Sequence, residues 1–96
     1  MAQTLAELAQ PWLDYRARAW LQQPFGGVED LRHVLLHLTK LTGKLATVIE
    51  RAEDTSELSD LDVIREEVVP DLLLWAVHLA ASLDIDLEDA FRQRLR

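Results

Sequence analysis

From Val28 to about Glu53, apolar side chains recur at Leu31, Val34, Leu35, Leu38, Leu41, Leu45, Val48, Ile49 and Ala52. Spacings of three and four gather such positions on one side of a helix with 3.6 residues per turn. No proline interrupts the run, so the pattern predicts one long amphipathic helix. Gly43 within it costs about 1 kcal/mol relative to alanine, which predicts that another helix crosses closely at that point.

Upstream, Thr4 followed by Glu7 forms a capping-box pattern. Pro11 suits the first turn of a helix carrying Trp12, Leu13, Trp20 and Leu21 and ending near Gln22, in one piece or two. Pro24, Gly26 and Gly27 supply loop chemistry. Downstream, residues 54–60 are rich in Asp, Ser and Glu and read as a connection, with Ser59 or Asp60 as the next cap. Leu61 to Leu83 carries Val63, Ile64, Val68, Leu72, Leu73, Trp75, Ala76 and Leu79 at helical spacing, but Pro70 deprives one carbonyl of its donor and predicts a kink or restart. Asp86, with Asp89 three residues on, predicts the N-cap of a short last helix through Phe91 and Leu95. Nothing alternates with period two, so the fold class is all-α, with four helices in a single domain over 1–96.

Ninety-six residues bury only about three fifths of the unfolded surface, which predicts a core shared between subunits, a homodimer or homotetramer. The net charge of -7 disfavours nucleic acid and anionic lipid as partners. The absence of cysteine removes disulfides and thiolate chemistry, and the N-terminal stretch has no secretory pattern, so a cytoplasmic location is expected. The apolar run from Leu72 to Leu83 would span about 18 Å as helix against about 30 Å of hydrocarbon, so no membrane association is expected.

Two stretches carry a family resemblance. Asp71 to Ala90 reads DLLLWAVHLAASLDIDLEDA, and Leu38 to Ala46 reads LTKLTGKLA. Together they resemble the MazG-like all-α nucleotide pyrophosphohydrolases, in which an aspartate begins a run of apolar residues with an aromatic inside, followed by Leu-Gly-Ile-Asp-Leu-Glu-Glu-Ala. Here Asp84 takes the glycine's place, while Gly43 and Leu45 hold their places in the helix-two motif. The similarity covers residues 31 to 92, about two thirds of the chain. It implies a four-helix MazG-like domain whose subunits pair into a helical bundle. It also implies hydrolysis of nucleoside triphosphates with Mg²⁺ held by two glutamates on helix two and a Glu-x-x-Asp on helix three. In this sequence those positions are Leu41 and Lys44, with Lys40 at an auxiliary place, and Val68 and Asp71. Only Asp71 keeps an oxygen ligand. Mg²⁺ demands several hard oxygen donors at one point, and an ammonium among them repels it.

The remaining candidates each have a bland reading beside a functional one. His33, His37, Lys40, Lys44 and Arg51 share an arc of about 60° on the long helix. They make either an anion groove for a nucleotide's phosphates or a face paired with Glu66, Glu67 and Asp71, in particular a Lys44 to Asp71 ion pair. His33 and His37 have the spacing of a helical zinc pair, with His78 and Asp71 sharing another face, or that spacing is chance. Glu50 with Glu53 and Glu57 with Asp60 form a displaced carboxylate set or a solvated loop. Trp12, Trp20 and Trp75 fill the core or an interface, or stack on a base.

The expected function is that of a catalytically impaired MazG-like protein acting by oligomerisation or by binding a nucleotide or protein. The alternatives are an active pyrophosphohydrolase, in which Asp71 and Glu67 bind Mg²⁺ while Lys40, Lys44, His37 and Arg51 hold phosphates, and an unrelated helical adaptor.

Overall fold

The computed structural model describes residues 4–19 and 27–96. These form four helices: α1 (Leu5–Ala19), α2 (Val28–Thr55), α3 (Leu61–Ser82) and α4 (Leu87–Arg94). No strand occurs among the described residues.

At the start of α1 the backbone N–H of Glu7 donates to Thr4 Oγ1 at 3.1 Å, so the predicted cap is present. Pro11 lies mid-helix rather than in a first turn, and α1 passes through it in one piece. The predicted continuation to Gln22, and the turn at Pro24 and Gly26, lie outside the described residues. α2 runs unbroken over 28 residues, slightly beyond the predicted end. Beyond α2's own neighbouring backbone, no atom of the described residues lies within 4 Å of the place where a Cβ on Gly43 would stand, so no described helix crosses closely there, contrary to the expectation from its sequence.

Regular α geometry restarts at Pro70, which stands in the first turn of the Val69–Ser82 segment, so the predicted interruption takes the form of a restart within α3. The strain is absorbed one turn earlier: Ile64–Val68 is a π turn, with the Val69 N–H bonded to the Ile64 carbonyl, and regular α geometry resumes over Val69–Ser82. A wider turn before a proline relieves the clash of its ring with the preceding carbonyls. Asp60 precedes α3 in the left-handed region (φ 56°) and makes no capping bond. Its carboxylate accepts from Arg51 instead. α3 ends in a Schellman arrangement, with Ile85 N–H on the Ala80 carbonyl at 2.8 Å and Asp84 left-handed at φ 55°. Asp86 then caps α4, accepting from the Asp89 N–H at 3.0 Å, as predicted. The chain bends by 110° between α3 and α4.

α2 and α3 lie side by side as a helical hairpin, with α1 against α3. Val34, Leu41 and Trp75 centre the core, with Trp12, Leu38, Leu74 and Leu79 packed around them. Trp12 meets Trp75 edge to face at 5.5 Å, which places both tryptophans as packing residues. No single helix among the described residues is long and apolar enough to cross a membrane.

The core is small for the chain. Accessible surface is 7385 Å², whereas a folded monomer of this mass exposes about 5,600 Å². The radius of gyration is 15.8 Å, against about 12.5 Å for a compact chain of this length. Large apolar side chains, including Leu31, Leu35, Leu45 and Ile49 on α2, remain at the surface.

Candidate functional site

The facing sides of α2 and α3 meet along a border that is polar at one end and aromatic at the other. At the polar end Lys44 donates to Glu67 Oε1 at 2.8 Å, and Arg51 to Asp60 Oδ2 at 2.7 Å, so two cations of the predicted basic stripe already have carboxylate partners. The hydrogen bond to Glu67 raises the Lys44 pKa against a desolvation that lowers it, and the charges of Glu67 and Asp71 add to the rise. Arg51 is raised likewise by its bond to Asp60. The predicted ion pair with Asp71 is therefore replaced by one with Glu67. Asp71 stands one helical turn further on and acts on Lys44 through its charge, not through contact.

Toward the N-terminus of α2 the same border is aromatic. His37 stacks on Trp75 with ring centres 4.3 Å apart and 16° between planes, and His33 meets His37 edge-on at 4.6 Å. Burial pushes the His37 pKa down, helped by His33 and Lys40 and opposed by Asp71. His33, His37, Lys40, Lys44, Glu67 and Asp71 thus form one continuous strip.

Of the four positions that the resemblance gives to Mg²⁺, Leu41 and Val68 are buried in the apolar interior, Lys44 is ion-paired, and Asp71 is half-buried. No three His, Asp or Glu side chains among the described residues are placed to hold a metal ion. The histidine pair gains no third donor from His78, which is fully buried with its ring centre 5.2 Å from that of Trp75. Glu50, Glu53, Glu57 and Asp60 do not converge either; Asp60 is taken by Arg51.

The most enclosed polar chemistry lies elsewhere. Asp30 and His78 are fully buried. His78 Nε2 is 2.9 Å from Asp30 Oδ1, and the Ser82 hydroxyl donates to Asp30 Oδ2 at 2.8 Å while lying 2.9 Å from the His78 carbonyl. The three residue types are those of a hydrolytic triad, but the serine addresses the carboxylate rather than the imidazole, and Asp30 and His78 are closed off from solvent while Ser82 is half-buried. Its chemistry is that of a clamp joining the first turn of α2 to the last turns of α3. Asp30 also sits where a negative charge complements the α2 dipole. Sequence reasoning missed this clamp. The available signal was register: Asp30 precedes Val34 by four residues and falls on the stripe that continues through Leu41 and Val48.

Fold and site together define a small all-α domain. No protein family, no curated protein and no solved structure matches the chain.

Proposed function

We propose that this chain is a MazG-like helical domain that has lost pyrophosphohydrolase chemistry and acts by assembling with itself, the assembly presenting a surface to a nucleotide or protein. The observation that carries the reading is the Lys44–Glu67 ion pair. In the resembling family position 44 supplies an oxygen to Mg²⁺; here it supplies the counter-charge itself, so an ammonium does the neutralising that a metal ion does there. The conformation of Asp84 supports the kinship. It adopts the left-handed φ that glycine, the family's residue at this place, adopts without strain. The uncovered apolar area supports self-assembly, because burying it between copies removes more surface from water than folding alone does.

The test is titration calorimetry with Mg²⁺ and Mn²⁺, followed by pyrophosphate release from a panel of nucleoside triphosphates. The expected result is neither saturable metal binding nor turnover. Turnover that Asp71→Asn abolishes would establish the active-enzyme reading instead.

A further inference from the structure

Along α2 two sets of positions repeat every seven residues. Asp30, Val34, His37, Leu41, Lys44 and Val48 alternate by four and three, and this set meets α3 through Val34, Leu41, Val48 and the polar border. One residue further round lies a second set at the same spacing: Leu31, Leu35, Leu38, Thr42, Leu45, Ile49 and Ala52. It carries no charge over three heptads. An apolar face this wide, two adjoining seven-residue stripes, lets a helix pack inside its own chain along one stripe and lie along a further helix with the other. In the single chain this stripe is uncovered at Leu31, Leu35, Leu45 and Ile49, with Leu35 65 % and Ile49 48 % exposed, while Leu38 also touches the core from the stripe's inner edge. Thr42, its sole polar member, donates its hydroxyl to the Leu38 carbonyl at 3.0 Å, so its polar group is already satisfied within the helix and tolerates burial.

We infer that this stripe is the seam through which a second copy of the chain docks, α2 running antiparallel to α2 about a two-fold axis. The inference rests on the reading of the protein as a self-assembling domain and names the surface that does it. Two observations favour a second copy as the occupant. Spread over the whole chain, the surface exposed beyond that of a compact monomer is about 1,800 Å², enough to include the roughly 800 Å² that each partner gives to a stable interface. The seam is also self-complementary in charge. On the side away from α3 it is edged by Arg32, Thr39, Ala46 and Glu53. Antiparallel packing that sets Leu38 on Ile49 of the partner subunit, and Thr42 on Leu45 of the partner subunit, brings Arg32 opposite Glu53 of the partner subunit at both ends. A parallel pair would hold Arg32 and the partner's Glu53 about 30 Å apart along the axis, so that the two could not meet. Arg32 now pairs with Glu29 on its own exposed helix face, a contact weak enough to exchange.

Sedimentation equilibrium on the full chain tests this. The wild type is expected at twice the 11.0 kDa chain mass. Leu35→Glu with Ile49→Glu changes side chains exposed in the single chain, so helical circular dichroism is retained while the dimer dissociation constant rises by about 100-fold or more. Arg32→Glu and Glu53→Arg each weaken the dimer several-fold, and the two together restore it. A dimer indifferent to the Leu35 and Ile49 changes overturns the seam but leaves self-assembly standing, and moves the interface to the apolar groove between α1, α3 and α4 lined by Leu5, Leu73, Ala76, Leu87 and Phe91. Loss of the dimer without rescue by the double charge exchange overturns the antiparallel register. A wild type that stays monomeric overturns both the seam and the reading beneath it, and leaves the stripe to a different helical partner.

Discussion

His78 Nε2 and Asp30 Oδ1 lie 2.9 Å apart with both side chains fully enclosed, tying the beginning of α2 to the end of α3. Each is costly to bury, and the contact between them offsets part of that cost. Asp30→Ala removes the carboxylate that His78 Nε2 and the Ser82 hydroxyl both address, and is expected to lower unfolding stability by about 1–3 kcal/mol. Asp30→Asn keeps the shape and part of the bonding and should cost less. Urea unfolding followed by circular dichroism measures both. An Asp30→Ala loss within the usual range of surface substitutions would show that the clamp holds nothing.

Lys44 stands between two carboxylates one turn apart. Lys44→Glu replaces the ammonium by a third carboxylate on the border that already carries Glu67 and Asp71. Three like charges without a counter-ion repel, so the variant is expected to melt lower than wild type in the absence of divalent ions. Mn²⁺ should raise its melting temperature in a concentration-dependent way, because a ligand bound by the folded state alone stabilises it by mass action. The wild type should not respond. Differential scanning calorimetry with and without Mn²⁺ makes the comparison, and an unresponsive variant would contradict the lineage proposed for this strip.

At Asp84 the chain adopts φ 55° to close the end of α3. Such a conformation crowds a Cβ, and glycine avoids the crowding. Asp84→Gly should therefore raise stability by about 0.5–1 kcal/mol, the usual scale for matching residue type to backbone conformation. Chemical denaturation at neutral pH reads the change directly.

The His37 pKa is lowered from 6.5 by burial against Trp75, by His33 and by Lys40. In the unfolded chain this histidine takes a proton more readily than in the folded one. Stability from this contact is accordingly complete above about pH 6.5 and falls as the pH drops from 6.5 through the lowered value. His37→Gln should flatten that part of the stability profile, as followed by thermal melts between about pH 7.5 and 5. An unchanged slope would assign the acid sensitivity to another group.

Much of the architecture was legible because helical periodicity is a property of the chain alone. The extent of α2 followed from the spacing of its leucines and valines, and the cap at Asp86 from an acceptor placed three residues before an amide. What escaped were features that depend on how two helices meet. Nothing in the spacing of Pro70 distinguishes a broken helix from a widened turn before it. Gly43 invites the inference of a close crossing, but none of the other described helices supplies one. Around the candidate site, the basic stripe was readable from α2, whereas its partners were not: selecting Glu67 over Asp71 for Lys44 requires the relative rotation of α2 and α3. Asp30 was hidden for a similar reason, since an acidic residue in a first turn satisfies the helix dipole and needs no further explanation.

The π turn at Ile64–Val68 has the geometry that one surplus residue leaves in an α-helix. Deleting a single residue there would let every hydrogen bond close at the regular interval and rotate the preceding segment by about 100° around the helix axis. Asp60 would swing away from Arg51, and the connection before it would have to be refitted. Chain length at this spot therefore acts as an angular adjustment: a one-codon change in a gene would re-aim the lower end of the hairpin while leaving Trp75, His78 and everything beyond them in place.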